Sequence, residues 1–136
     1  MATLKINELN KNFGITEVLK GINLDINDGD FLVLLGPSGC GKSTLLNTIS
    51  GLETINSGEI LIDNHVVNNM EPSDRDIALV FQSYALYPAM TVKKNVTFGL
   101  EQRKTPKEKI AQALEEVSNL LQINELLERK PSQLSG

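Results

Sequence analysis

The sequence is poor in several features, and each shortage excludes a class of protein. Cys40 is the only cysteine among 136 residues, so no disulfide can form within the chain, which fits a reducing cytosol. Basic residues are not in excess, because 13 Lys and Arg stand against 17 Asp and Glu, for a net charge of −4. This balance offers no general field for nucleic acid, which we do not expect as a partner.

Long apolar runs are also missing. No stretch approaches the ~18 apolar residues that cross a bilayer, and the N-terminus lacks the apolar core of a signal peptide. Any association with a membrane is therefore expected to come through a partner protein. The composition, 40% hydrophobic and 22% charged, is that of a soluble globular protein with one domain of modest size.

One stretch carries the clearest chemical pattern. Five apolar residues, 31–35, predict a strand buried on both faces, and Gly36 to Ser43 then match the phosphate-loop spacing G-x-x-x-x-G-K-[ST]. The glycines of this loop let successive N–H groups point inward and form an anion nest. Lys42 would neutralise the β- and γ-phosphates of a nucleotide. The Ser43 hydroxyl is the expected Mg²⁺ ligand at a helix N-terminus.

The alternative is a glycine turn that binds nothing. A chance match to the four fixed positions is below about 1% in so short a chain, given average usage of roughly 7% glycine. A reactive role for the cysteine is disfavoured, because it occupies a variable position of the pattern. The predicted nucleotide-binding residues of the loop are Gly36, Pro37, Ser38, Gly39, Cys40, Gly41, Lys42, Ser43 and Thr44.

Two kinds of strand are predicted around the loop. Alternating apolar residues indicate half-buried antiparallel strands over 3–9 and 18–26, and a hairpin over 58–67 with its turn at 63–64. Residues 77–81 form a second continuous apolar run and predict another buried parallel strand.

Helices are predicted after the loop and in the C-terminal part. Residues 42–50 indicate a short helix that ends at Gly51, and 91–100 indicate a second. A third, amphipathic helix is expected to begin at Thr105, which forms a capping-box pattern with Glu108.

Four further positions each allow two interpretations. Phe13 is either core filler or an aromatic platform for a base, and Gln82 is either a surface glutamine or a site residue at the end of a parallel strand. His65, the only histidine, is expected to be a solvated strand-end residue. The loop 83–90 is unusually apolar, which is more typical of a docking surface than of a solvated turn.

Taken together, these residues resemble the ATP-binding subunits of ABC transporters, from residue 3 to the end. Within that family they are most similar to bacterial importer ATPases of the maltose, multiple-sugar and glycerol-3-phosphate type. The resemblance rests on four segments, which are Gly36–Thr44, Gly51–Glu53, Ser57–Ile60 and the run from Arg75 to Pro88.

The resemblance implies an α/β fold, the N-terminal part of the P-loop NTPase fold in its ABC ATPase form. Its three regions are an antiparallel β subdomain, a partial parallel core sheet with a missing central strand, and a helical subdomain. The implied boundaries are 1–30 and 58–70 for the antiparallel region, 31–57 and 71–90 for the ATP-binding core, and 91–136 for the helices.

The same resemblance assigns site residues. Phe13 takes the place of the aromatic that stacks on adenine, usually Tyr or Trp in the family, and Val18 is placed with it as a nucleotide-binding residue. Gln82 takes the place of the glutamine that contacts Mg²⁺ and the attacking water. Residues 83–90 match the surface that receives the permease. Ser135, in the first three residues of the signature Leu-Ser-Gly-Gly-Gln, would face the ATP of a partner subunit.

The family's later elements have no counterpart in these 136 residues. They are the end of the signature, the Walker B aspartate with the catalytic glutamate, and the switch histidine. From this we expect no appreciable ATP hydrolysis by the chain alone, because the carboxylates near the motifs, such as Glu53 and Asp76, are interpreted as turn, cap or solvated residues.

Three functional hypotheses follow. The first is the N-terminal part of a transport ATPase on the cytoplasmic face of the membrane, using ATP and Mg²⁺. It would work with permease subunits, a second ATP-binding subunit and, indirectly, a solute-binding protein to import a sugar or related solute. The second is a nucleotide-binding or interaction module that never hydrolyses. The third, a soluble P-loop kinase or GTPase, is disfavoured by the sequence after residue 75.

Overall fold

The computed structural model describes residues 2–81 and 85–134. The chain divides into two compact units, 1–79 and 80–136. The first unit contains β1 (Leu4–Phe13), β2 (Thr16–Ile26), α1 (Lys42–Ser50), β3 (Ser57–Ile62), β4 (His65–Val66) and a 3-10 turn at Pro72–Asp74. The second contains α2 (Val92–Gln102), α3 (Lys107–Leu121) and 3-10 turns at Asn124–Leu126 and Pro131–Gln133.

The first unit is built on a four-stranded antiparallel sheet in the order β2-β1-β3-β4. This confirms the antiparallel strands and the hairpin predicted from alternation. The register of β1 slips between Ile6 and Leu9, where Glu8 has a positive φ, so that both apolar residues face the core. Asp63 and Asn64 also have positive φ, as a two-residue hairpin turn requires.

The core of this unit lies between the sheet and α1. Its buried hydrophobic residues come from three strands, the helix and the segment after β4, and they are Ile6, Leu9, Leu19, Leu45, Ile60 and Val67. The helix begins after Gly41 and ends at Gly51, as predicted. Leu45 and Ile49 of the helix pack in this core, whereas Leu46 is exposed.

The two predicted core strands are not formed. Residues 31–35 and 77–81 are described without strand structure, and Phe31 and Val80 are 92% and 91% exposed. Only Leu34 of the first segment packs partly against the core. The physical reason is pairing: a strand buried on both faces needs neighbours on both edges, and within the described residues all strand pairing occurs among β1 to β4.

In the second unit, α2 packs against α3. Thr91 caps α2, since its hydroxyl accepts from the Lys94 N–H at 3.3 Å. The capping box predicted at Thr105 is wrong: α3 begins after Pro106, and no side chain of the described residues caps it. The Thr105 N–H donates instead to the Leu100 carbonyl at 3.0 Å, which closes the end of α2.

The helices of both units are short. Within the described ranges, none combines the length and the apolar character needed to cross a bilayer.

Candidate phosphate-binding site

The loop between Leu35 and α1 is wrapped around the ammonium of Lys42. The Nζ atom donates to the Gly36 and Pro37 carbonyls at 2.8 and 2.7 Å, and it lies 3.4 Å from the Cys40 Sγ. Two N–H donors of the ammonium therefore fix it across the loop by strong contacts, and the third makes only a weak contact with sulfur. A phosphate oxygen offers this third donor a far better partner.

Gly41 is the residue at which the loop meets the sheet. Its φ of 96° lies in the left-handed region, and an added Cβ would approach the Leu19 Cδ2 to 3.0 Å and the Val18 carbonyl to 3.2 Å. Only glycine satisfies both constraints at this position. The close approach places Val18 directly beside the start of α1.

The first turn of α1 supplies further polar groups. Gly41 precedes the helix without a side-chain cap among the described residues, so the first N–H groups have no side-chain acceptor. Ser43 and Thr44 lie in this turn, and the Ser43 side chain is exposed. N–H groups that no N-cap side chain satisfies, the helix dipole and an ammonium together form a site suited to phosphate.

Of the two predicted ligands for a divalent cation, Ser43 lies among the described residues. Among the described residues there is no cluster of three His, Cys, Asp or Glu side chains. Mg²⁺ commonly takes only one or two protein oxygens and completes its shell with phosphate oxygens and water, so an exposed Ser43 hydroxyl beside a bound phosphate fits this cation. The second predicted ligand, Gln82, lies outside the described residues.

Phe13 ends β1 at the tip of the β1–β2 hairpin, where Gly14 turns the chain. Phe13 is 47% exposed, so it does not fill the core. The ammonium of Lys11 lies over the ring, 4.8 Å from its centroid. This cation is itself buried and paired with Glu53, through Oε1 at 2.9 Å.

Lys11 and Glu53 were not identified from the sequence as partners. Glu53 was interpreted as a turn, cap or solvated residue, whereas its carboxylate makes a partly buried ion pair. One signal was available: Lys11 stands two residues from both Leu9 and Phe13, at an inward position of an alternating strand, where a charged residue needs a partner.

Arg75 is a second buried cation that the sequence did not single out. Its guanidinium donates to the Thr48 and Ile49 carbonyls at 2.9 Å, and to those of Met70 and Asn68 at 3.1 and 3.3 Å. Burial lowers the pKa of this guanidinium from its usual range. These hydrogen bonds tie the last turn of α1 to the segment that precedes residue 77.

The other predicted site residues belong to the second unit. Ser83 and Ser135 lie outside the described residues. Leu86 and Tyr87 are about half exposed, and the Tyr87 ring lies 4.8 Å from that of Phe98. The Asn95 side chain accepts from the Tyr87 N–H at 2.8 Å and donates to the Tyr87 carbonyl at 3.1 Å, which anchors this segment on α2.

The loop around Lys42 is suited to phosphate, and comparison with known proteins identifies the family of the chain. Residues 19–136 match the sequence profile of the ABC transporter family. The chain therefore belongs to this family.

Particular relatives are import proteins of bacteria. Over its whole length the chain is 56% identical to the sn-glycerol-3-phosphate import ATP-binding protein UgpC of Brucella abortus (strain 2308) and covers 39% of that protein. It is 53% identical to the protein of the same name from Bordetella avium (strain 197N), of which it covers 38%. The chain thus spans about two-fifths of the length of these relatives.

Solved structures confirm the fold class. The bacterial ABC transporter cassette MJ0796, described as dimeric, matches 98% of this chain with a TM-score of 0.85 and 31% identity, and 63% of the MJ0796 chain is covered. The same cassette bound to ADP and phosphate matches 97% with a TM-score of 0.83. The chain accordingly has the fold of the N-terminal part of an ABC cassette, although its two core segments are not paired as strands.

Proposed function

We propose that this chain forms the nucleotide-binding part of an ATP-binding subunit that drives import of sn-glycerol-3-phosphate or a related sugar-like solute. The observation that carries the proposal is the identity of more than half of all residues, over the entire chain, with import ATP-binding proteins. The loop around Lys42 supports it independently, because its donors suit the phosphates of a nucleotide.

The nucleotide is ATP with Mg²⁺ in this proposal. Lys42 and the first turn of α1 hold the β- and γ-phosphates, Ser43 contributes an oxygen to the cation, and Phe13 with Val18 contacts the adenosine. The cation neutralises phosphate charge, while the residues of this chain bind and orient the nucleotide. Gln82 is proposed as a further contact to the cation and to water.

Partners and location complete the proposal. The exposed side chains of Leu86 and Tyr87 support docking of permease subunits on residues 83–90. A second ATP-binding subunit is expected opposite the nucleotide, with Ser135 reaching the partner's ATP. The subunit would lie on the cytoplasmic side of the membrane, and a solute-binding protein would deliver the solute to the permease. The domain boundaries implied by the resemblance are part of this proposal.

The first test measures nucleotide binding by the whole reading frame that contains this chain. Lys42→Ala should reduce affinity for a fluorescent ATP analogue at least about tenfold, because it deletes the charge held across the loop. Lys20→Ala removes an exposed lysine and should leave affinity unchanged. Equal affinities of the wild type and Lys42→Ala would refute the phosphate-loop assignment.

Transport is tested in a bacterial strain that lacks its own glycerol-3-phosphate ATP-binding subunit. The complete reading frame should restore uptake of radiolabelled sn-glycerol-3-phosphate, and the Lys42→Ala variant should not. Uptake of maltose in a strain lacking the maltose ATP-binding subunit provides the comparison for solute class. Restoration of neither uptake, with nucleotide binding intact, would favour a nucleotide-binding module without transport activity.

A further inference from the structure

Lys11 occupies an unusual place for a lysine. It lies on β1, opposite Leu19 of β2, and is only 6% exposed. Burying an ammonium costs free energy unless the charge is paired and hydrogen-bonded. Three other ion pairs of the described residues join side chains that are each about half exposed or more, so the buried pair of Lys11 stands apart from them.

The partner of Lys11 is anchored to the helix that begins at the phosphate loop. Glu53 accepts from the ammonium at 2.9 Å through its side chain, while its N–H donates to the Asn47 carbonyl of α1 at 3.1 Å. Glu53 is therefore held through both its backbone and its side chain, and its carboxylate has little freedom to move with the lysine. The position of the ammonium is therefore set by the C-terminal end of α1.

Asn56 fixes the strand on either side of Lys11. Its N–H donates to the Asn10 carbonyl at 2.9 Å, and its side-chain oxygen accepts from the Asn12 N–H at 2.7 Å. Both the backbone and the charged end of Lys11 are thus held by the segment that follows α1.

One face of the Phe13 ring is occupied as a result. The Lys11 Nζ lies 4.8 Å from the ring centroid, within the range of a cation–π interaction. The ring is nevertheless half exposed. A planar base can stack only where the ammonium does not lie, so the cation both orients the ring and selects the face that receives the base.

We propose that Lys11, held by Glu53, is a positioning residue that orients Phe13 for stacking on the nucleotide base. The inference rests on the proposed function, in which Phe13 contacts the adenosine. Its physical content is preorganisation: the cation fixes a ring that would otherwise lose rotamer freedom when a base binds. Lys11 itself does not contact the nucleotide.

The test separates base binding from phosphate binding in the whole reading frame that contains the chain. Affinities for ATP and for inorganic tripolyphosphate, which has no base, are measured by displacement of a fluorescent ATP analogue. Lys11→Met keeps the apolar stem and removes the charge. It should weaken ATP binding about two- to tenfold and leave tripolyphosphate binding unchanged.

Lys5→Met is the matched control, because Lys5 is an exposed lysine of the same strand paired with Asp25. It should change neither affinity. If the ion pair were purely structural, Lys11→Met would weaken the binding of ATP and of tripolyphosphate equally, or would weaken neither. Either of these outcomes overturns the inference.

A double variant shows whether the lysine acts through the ring. Phe13→Leu should itself lower the preference for ATP over tripolyphosphate, and adding Lys11→Met to it should lower the preference no further. If Phe13→Leu leaves the preference unchanged, the base platform of the proposed function and this inference both fail. If Phe13→Leu lowers it and Lys11→Met does not, only this inference fails.

Glu53→Gln provides a second route should Lys11→Met not fold. It retains an acceptor oxygen but removes the charge that holds the ammonium, and should lower the preference for ATP in the same direction, by less. A preference equal to that of the wild type would then count against the role of Lys11.

Discussion

Arg75 shows how a single buried cation can hold several segments together. Arg75 is 5% exposed, and its guanidinium donates hydrogen bonds to carbonyls at the end of α1 and in the segment 68–70. The last carbonyls of a helix lack partners within it and carry partial negative charge, so a cation there is stabilising. Gly51 makes room for it, since an added Cβ would lie 2.7 Å from the Arg75 Nε.

Replacing Arg75 by Met should therefore destabilise the fold. The variant retains apolar volume but removes a charged donor from four carbonyls, of which that of Thr48 keeps the Gly51 N–H, and we expect this to cost about 2–4 kcal/mol of unfolding free energy. The urea midpoint followed by far-ultraviolet circular dichroism measures this loss. Arg129→Met, at an exposed arginine, is the control and should not change the midpoint.

Equal midpoints of wild type and Arg75→Met would contradict this role. The urea midpoint of Arg75→Lys should lie between those of the wild type and Arg75→Met. An ammonium keeps the charge, but it lacks the planar guanidinium geometry that reaches four acceptors.

Among the elements, those predictable from the sequence were the ones whose hydrophobic pattern matches the packing partners that the chain itself provides. The strands β1 to β4 alternate and pair with one another, and α1 runs between two glycines, so local pattern and tertiary structure agree. Residues 31–35 and 77–81 are patterned for burial on both faces, but the described residues provide no neighbouring strand for either. The start of α3 was missed because Thr105 completes the preceding turn.

The candidate site was predictable to a similar extent. The phosphate loop follows from spacing alone, because backbone conformation and charge are fixed by glycine and lysine at set positions. The ion pair of Lys11 with Glu53 joins residues of β1 to the segment after α1, and no local pattern encodes such a contact. The only sequence signal for this ion pair was a charged residue, Lys11, at an inward position of an alternating strand.

The segment 85–90 is an element without regular structure whose conformation depends on α2. Leu86→Asp places a charge on its exposed apolar surface, and it should weaken co-purification with permease subunits because a buried charge costs free energy. Nucleotide affinity should be unchanged. Leu120→Asp, at an exposed leucine of α3 in the same unit, is the matched control. Undiminished co-purification of Leu86→Asp would argue against docking at this surface.

At the scale of the whole molecule, segments 31–35 and 77–81 expose large apolar side chains to solvent. Phe31, Leu35 and Val80 are each about nine-tenths exposed, and their backbone is not paired in a sheet. Exposed apolar segments with free backbone groups tend to pair with other chains. We therefore expect the 136-residue chain to associate with itself.

This expectation is tested by analytical ultracentrifugation. The double variant Phe31→Lys and Leu35→Lys should shift the chain toward monomer at equal concentration, because like charges on the segment oppose pairing. Ile15→Lys, at a fully exposed residue of the β1–β2 turn, should leave the sedimentation of the chain unchanged. A wild-type chain that sediments as a monomer at all concentrations would contradict the prediction.

The strand order also leads us to expect a point during synthesis before which the candidate phosphate site cannot form. The β1–β2 hairpin closes through a short turn, whereas β1 joins β3 through pairs such as Leu4 with Ile62, which enclose the loop and α1. Because closing a long loop costs more entropy than closing a short one, the hairpin should form first. A chain still on the ribosome should gain nucleotide affinity only after residue 62 has left the exit tunnel.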